Sequence, residues 1–111
     1  IEEGETGWQA IVREFYEETA IKVAHLYNAE YCEQFYEAGR NRLMIVPSFV
    51  VICKPNQAVL INDEHTDYRW CSFEEAIGLM PYPNQKALYQ HVKRYFVDVP
   101  PSELMRIRLE E

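Results

Sequence analysis

The chain has 111 residues, 48% of them apolar, 14% aromatic and 26% charged, the profile of one compact globular domain rather than a disordered or fibrous segment. Two Trp, eight Tyr and five Phe can supply much of a modest core, and no metal staple or disulfide is required. Eleven Lys and Arg against eighteen Asp and Glu give a formal charge of −7 with no basic stripe, which argues against duplex DNA or RNA as a partner.

Cys32, Cys53 and Cys71 are odd in number and widely spaced, with no Cys-x-x-Cys pair and no zinc-finger spacing, so they read as the reduced thiols of a cytoplasmic protein. The longest apolar run, Leu43 to Cys53, is broken by Pro47 and Ser48 and falls far short of the roughly 20 residues a membrane helix needs. Neither a membrane span nor a secretory leader is expected. The sequence opens on Ile1 rather than on methionine, and residues before it are expected in the natural protein.

In chain order, the first element is the most strongly periodic. Trp8, Ile11, Val12 and Phe15 fall at i, i+3, i+4 and i+7, one face of a helix, and Thr6 or Gly7 marks its start. A helix is predicted over 7–19. Ile21 to Ala29, Tyr31 to Ala38 and Leu43 to Cys53 are rich in β-branched and aromatic residues, are separated by polar breaks such as Gly39-Arg40-Asn41, and read as three strands, the last of them central. Pro55-Asn56-Gln57 marks a loop, and Tyr68 to Cys71 a short strand. Ser72, with Glu75 three residues on, reads as a helix N-cap. Helices are predicted over 72–79 and 84–96, the second with Leu88, Val92, Tyr95 and Phe96 on one face and Asn84 as its cap. The tail from Val97, with Pro100-Pro101, reads as extended or frayed. No repeat or linker divides the chain, so residues 1–111 are expected to form a single domain.

The opposite face of the first helix carries the candidate chemistry. Glu14, Glu17 and Glu18 stand at i, i+3 and i+4, which places three carboxylates within one turn. Like charges so close repel, so a counter-charge is expected, either Arg13 and Arg40-type side chains or a bound cation. Oxygen-only donors suit hard divalent ions, Mg²⁺ or Mn²⁺, better than zinc or copper. A merely solvated acidic helix face is the competing reading of the triad taken alone.

Glu5, seven intervening residues, and then Arg13-Glu14-Phe15-Tyr16-Glu17-Glu18-Thr19-Ala20-Ile21 resemble the signature of the Nudix hydrolases, G-x5-E-x7-R-E-U-x-E-E-x-G-U. Glu5, Arg13, Glu14, Glu17, Glu18 and Ile21 sit at their expected offsets, and Phe15 stands where an aliphatic residue is usual. Glu64-His65-Thr66-Asp67-Tyr68-Arg69-Trp70 with Phe73-Glu74-Glu75-Ala76, and Pro83-Asn84-Gln85 with Leu88, are similar to later family segments. Two features depart from the signature. Its opening glycine would fall two positions before Ile1, and Ala20 replaces its second glycine, at a cost of about 1 kcal/mol if that site has positive φ.

The resemblance implies an α+β fold, the Nudix α/β/α sandwich with a mixed central sheet, here without its N-terminal strand or strands. It implies hydrolysis of a nucleoside diphosphate linked to a second moiety, most directly pyrophosphohydrolysis of a (deoxy)nucleoside triphosphate. The segments around Glu64 to Trp70 and Pro83-Asn84 lean toward relatives of the dATP and dihydroneopterin triphosphate pyrophosphohydrolases. By similarity, Glu14, Glu17 and Glu18 would hold Mg²⁺ or Mn²⁺, Arg13 would orient the carboxylates, and Glu5 would fix the helix start. The catalytic set would then be Glu17, Glu64 and Arg13, with Glu64 or Glu17 as the general base. The partner is a small nucleotide, and a homodimer is common among relatives. A Nudix-like nucleotide-binding module without turnover is the alternative.

The remaining residues carry two readings each. His65 could tune a base or simply lie on the surface, whereas His25 and His91 read as structural. Trp70 reads as core rather than as a stacking platform. Tyr27, Tyr31, Phe35 and Tyr36 fit either a base pocket or a half-buried sheet.

Overall fold

A computed structural model of the protein describes residues 2–54 and 70–109. Its main elements run in the order α1 (Gly7–Thr19), β1 (His25–Glu37), β2 (Arg42–Ile52), α2 (Phe73–Leu79), α3 (Pro83–Val92) and β3 (Arg106–Ile107). Among the described residues the strands form one sheet in the order β2-β1-β3. Only residues 38–41 join β1 to β2, a connection too short for anything but an antiparallel hairpin. The chain divides into two compact units, the first holding the described residues within Ile1–Leu26, Val51–Trp70 and Ile107–Glu111, the second Tyr27–Val50 with Cys71–Arg106.

In the first unit both ends of α1 are fixed by local chemistry. Thr6 and Gln9 form a capping box, in which the Thr6 hydroxyl accepts from the Gln9 amide at 3.4 Å and Gln9 Oε1 accepts from the Thr6 amide at 2.8 Å. At the exit Ala20 is left-handed, φ 61°, and its amide donates to the Tyr16 carbonyl at 2.7 Å. The Thr19 hydroxyl donates to the Phe15 carbonyl at 2.7 Å and accepts from the Ile21 amide at 3.2 Å. This reversal turns Ile21 inward, where it is 1% exposed; Leu26 and Ala10 are likewise buried.

In the second unit α3 runs antiparallel to β1. Asn84 Nδ2 donates to the Gln34 carbonyl at 3.0 Å, His91 Nε2 to the Ala29 carbonyl at 2.7 Å, and the Phe96 ring meets Tyr27 edge-on at 5.8 Å between centroids. His91 also packs on Tyr31 and Tyr95, with ring centroids 5.2 and 5.0 Å away, so its part is structural as expected. Ser72 and Glu75 form the capping box of α2, and Lys86 Nζ donates to the Ile77 carbonyl near the end of that helix at 2.8 Å.

The structure corrects several expectations. The two strands read over 21–29 and 31–38 are one strand, 25–37. The break at Glu30 is a local kink instead of a chain reversal, because Glu30 has φ 53° and its amide donates to Asn28 Oδ1 at 2.9 Å. The middle place in the described sheet belongs to β1, and β2 lies at its edge. Tyr82, not Asn84, is the N-cap of α3, because Pro83 takes the first helical position and commits Asn84 to the helix. The helix predicted over 84–96 closes as α3 plus a π-type turn over Lys93–Val97, held by Lys93 Nζ on Asp98 at 2.9 and 3.1 Å. The tail is ordered, with a 3₁₀ turn at Glu103–Met105 capped by Ser102 and then β3. Trp70 and Cys71 lie in irregular backbone leading to the Ser72 cap, and Trp70 is 67% exposed rather than core. The loop at 55–57 and residues 68–69 of the predicted short strand lie outside the described residues.

The left-handed exit of α1 has a measurable consequence. A non-glycine residue in this region costs about 1–2 kcal/mol, and glycine returns about 0.4–1 kcal/mol of that through its freer unfolded chain. Ala20→Gly is therefore expected to stabilise the protein by about 0.5–1 kcal/mol in urea unfolding, and an unchanged or lower midpoint would contradict a strained exit.

Candidate active site

The candidate site is built on α1 and the turn before it, within the first unit. Gly4 adopts φ 79°, a conformation that favours glycine, and the Glu5 amide closes the turn on the Glu2 carbonyl at 3.0 Å. The turn aims Glu5 back along the helix at Arg13. Arg13 Nε donates to Glu5 Oε2 at 2.9 Å and its Nη2 to Glu5 Oε1 at 3.2 Å, a bidentate pair whose carboxylate side chain is only 15% exposed.

The remaining reach of the guanidinium goes to other carboxylates. Nη1 donates to Glu17 Oε2 at 3.1 Å, Nη2 lies 3.6 Å from Glu14 Oε1, and Nε lies 3.3 Å from Glu2 Oε1. Arg13 is thus the counter-charge that the acidic face demands. Arg40, the other type of partner considered, pairs with Glu37 at 3.4 Å instead. The hydrogen bond from Arg13 holds the Glu5 carboxyl below its ordinary value of 4.5, and the Glu2 amide adds to the effect. Glu5 in turn raises the pKa of Arg13, which is charged at every accessible pH.

Glu14, Glu17 and Glu18 share α1 as the spacing requires, and the side chains of Glu14 and Glu17 are about half exposed, at 46% and 56%. Among the described residues no three His, Cys, Asp or Glu side chains converge into a group that would hold a metal. The structure therefore gathers the carboxylates of Glu2, Glu5, Glu14 and Glu17 around the Arg13 guanidinium and keeps Glu18 on the same helix. Glu64 and His65 lie outside the described residues.

One feature of the site was not read from the sequence. A cavity of about 420 Å³ opens beside Glu17 and Arg13, walled by Val12, Tyr16, Val23 and Lys22. Lys22 makes no ion pair among the described residues, so it offers a cation at the rim of the acidic face. It stands just past the signature, where no spacing rule singles it out.

Residues 1–95 match the family model described as NUDIX domain. The chain belongs to the Nudix family. It is 31% identical over 90 residues to the asymmetrical bis(5'-nucleosyl)-tetraphosphatase of Caenorhabditis elegans, an overlap that takes in 79% of this chain and 64% of that protein. The chain thus spans less than two-thirds of the length of this relative. Its fold is similar to the crystal structure of a C. elegans Ap4A hydrolase binary complex, with a TM-score of 0.71 at 23% identity over 89% of this chain and 73% of the other. The α+β Nudix fold expected from the signature is the fold observed.

The depressed carboxyl of Glu5 fixes the sign of an acid effect. A carboxylate whose folded pKa lies below its unfolded value contributes stability above the unfolded value and loses it as pH falls through the folded one. Glu5→Gln is expected to lower the melting temperature most at neutral pH, with the gap to the parent narrowing steadily below about pH 4.5. A gap independent of pH between 7 and 3 would show that the ion pair is not what is lost.

Proposed function

We propose that this Nudix domain hydrolyses a phosphoanhydride link in a nucleoside diphosphate joined to a second moiety, with Mg²⁺ or Mn²⁺ bound by Glu14, Glu17 and Glu18. The observation that carries the reading is the single turn of α1 on which these carboxylates stand, fixed to the preceding loop by the Arg13–Glu5 pair. The donor chemistry suits a hard cation, whose binding would draw these three side chains from their present positions toward one point. The donors are carboxylate oxygens alone, and Arg13 engages only Oε1 of Glu14 and Oε2 of Glu17, so each keeps a second oxygen. When bound, such a cation neutralises diphosphate charge and draws electron density from the reacting phosphorus.

The chain's own residues have separable tasks. Arg13 orients Glu17 through Nη1 while its bidentate hold on Glu5 keeps the helix start in place. Lys22 supplies a positive charge beside Glu17 for the phosphates of the substrate, which an acidic surface would otherwise repel. The proton of the attacking water goes to Glu64, by its likeness to the family segment, or to Glu17.

The C. elegans relative, named as a bis(5'-nucleosyl)-tetraphosphatase, favours dinucleoside tetraphosphates as substrates. The family signature supports (deoxy)nucleoside triphosphates equally, and the segments around Glu64 and Asn84 add dihydroneopterin triphosphate. A panel of these compounds, assayed for released phosphate or pyrophosphate with Mg²⁺ and with EDTA, tests the reading. Metal-dependent turnover of one class is expected, and Glu17→Gln is expected to lower kcat by about 10²-fold or more with the melting temperature unchanged. Silence across the panel, or full activity in Glu17→Gln, would overturn the proposal in favour of a nucleotide-binding module or a different metal ligand.

A further inference from the structure

The cavity of about 420 Å³ on the flank of α1 lies wholly within the first unit, and its size falls in the range of small-molecule sites. Its walls divide by chemistry. Val12, Tyr16 and Val23 form an apolar part, in which Tyr16 is 48% exposed, and Arg13, Glu17 and Lys22 form a polar part. Val12 and Tyr16 stand one helical turn apart, as do Arg13 and Glu17, so the two parts run side by side along the helix. The left-handed exit at Ala20 brings Lys22 and Val23 back to complete them.

The polar part suits a single phosphate. Arg13 spends its guanidinium on four carboxylates and Glu17 repels an anion, which leaves the Lys22 ammonium to receive it. The apolar part has the opposite character. Val12, Val23 and the Tyr16 ring offer a phosphate oxygen no hydrogen bond, so a chain of phosphates laid along them would lose water without replacing it. An organic group gains there, because covering these side chains removes apolar surface from water. The cavity is therefore matched to a ligand that joins one phosphate to an apolar body.

We infer that this cavity holds the second moiety of the substrate, and that this moiety is an organic group with an apolar face, carried on a phosphate held by Lys22, and not a further inorganic phosphate. The inference rests on the proposed hydrolysis and chooses among its substrate classes. Water adds across the P–O–P link: its oxygen joins one phosphorus, the bridging oxygen leaves on the other, its protons pass to the products or to solvent, and the second moiety departs as a phosphate monoester. The test uses the full chain and two esters of adenosine diphosphate, phenyl and methyl on the terminal phosphate, which share charge and scissile link and differ in apolar body. With Mg²⁺ the phenyl ester is expected to show a kcat/KM about tenfold above that of the methyl ester, from the apolar surface it covers, and also above that of adenosine triphosphate. Tyr16→Ala, a change to a good helix former at an exposed position, is expected to bring the phenyl-to-methyl ratio toward one. Without metal, phenyl phosphate is expected to bind about tenfold more tightly than methyl phosphate and to shift the NMR amide signals of residues 12, 16, 22 and 23. Equal kcat/KM for the two esters, preference for the triphosphate, an unchanged ratio in Tyr16→Ala, or shifts that avoid these residues would overturn the inference and leave the hydrolysis standing. Absence of turnover of all three compounds would overturn the hydrolysis, and this inference with it.

Discussion

One guanidinium organises the first unit. Arg13 reaches four carboxylates, and only one of them, Glu5, is taken in the bidentate geometry that couples distance to orientation. Because Glu5 precedes α1 and Arg13 lies in its second turn, the pair fastens loop to helix across eight residues. The capping box at Thr6 alone would fix where α1 begins. The ion pair adds what a cap cannot, a defined path for the chain before the helix and so a defined place for the carboxylates that follow. The weaker contacts to Glu14 and Glu17 then temper a repulsion that three acidic side chains on one turn would otherwise carry uncompensated.

The second unit rests on a different constraint, the alignment of α3 along β1. Three contacts descend in step, Asn84 to Gln34, His91 to Ala29 and Phe96 to Tyr27, and the first two end on strand carbonyls. Side chains that hydrogen-bond to two carbonyls of one strand fix the helix in translation as well as in rotation. Pro83 makes this arrangement available, since a proline in the first helical position starts the helix early enough for the Asn84 side chain to be released from capping.

Much of this was legible in the sequence, for identifiable reasons. The bounds of α1, 7–19, follow from a clean 3.6-residue period and a recognisable cap, and Ser72 with Glu75 announces α2 in the same way. Local signals of this kind contain their own answer. The strands were harder because alternation cannot tell a kink from a turn, and Glu30, a polar residue in left-handed backbone, imitates the end of a strand. The order of strands and the exposure of Trp70 depend on partners distant in sequence, which no local pattern encodes. At the site, fixed offsets made Glu5, Arg13 and the glutamates of α1 visible at once. Lys22 and the cavity beside it depend on how the chain turns after Ala20 and carry no motif.

That turn is where the signature and this chain disagree, since Ala20 stands in place of the second glycine. The chain reverses at Ala20 through φ 61°, a conformation that glycine adopts at little cost and alanine adopts under strain. The reversal survives because it is secured on both sides: the Ala20 amide closes on Tyr16, the Thr19 hydroxyl bridges Phe15 and Ile21, and Ile21 is buried to 1% exposure directly afterwards. Burying an isoleucine is worth about 1.5–3 kcal/mol, which exceeds the strain of about 1–2 kcal/mol at the residue before it. In this chain the left-handed exit is therefore held by its neighbours without a glycine, directly after the helix that carries Glu14, Glu17 and Glu18.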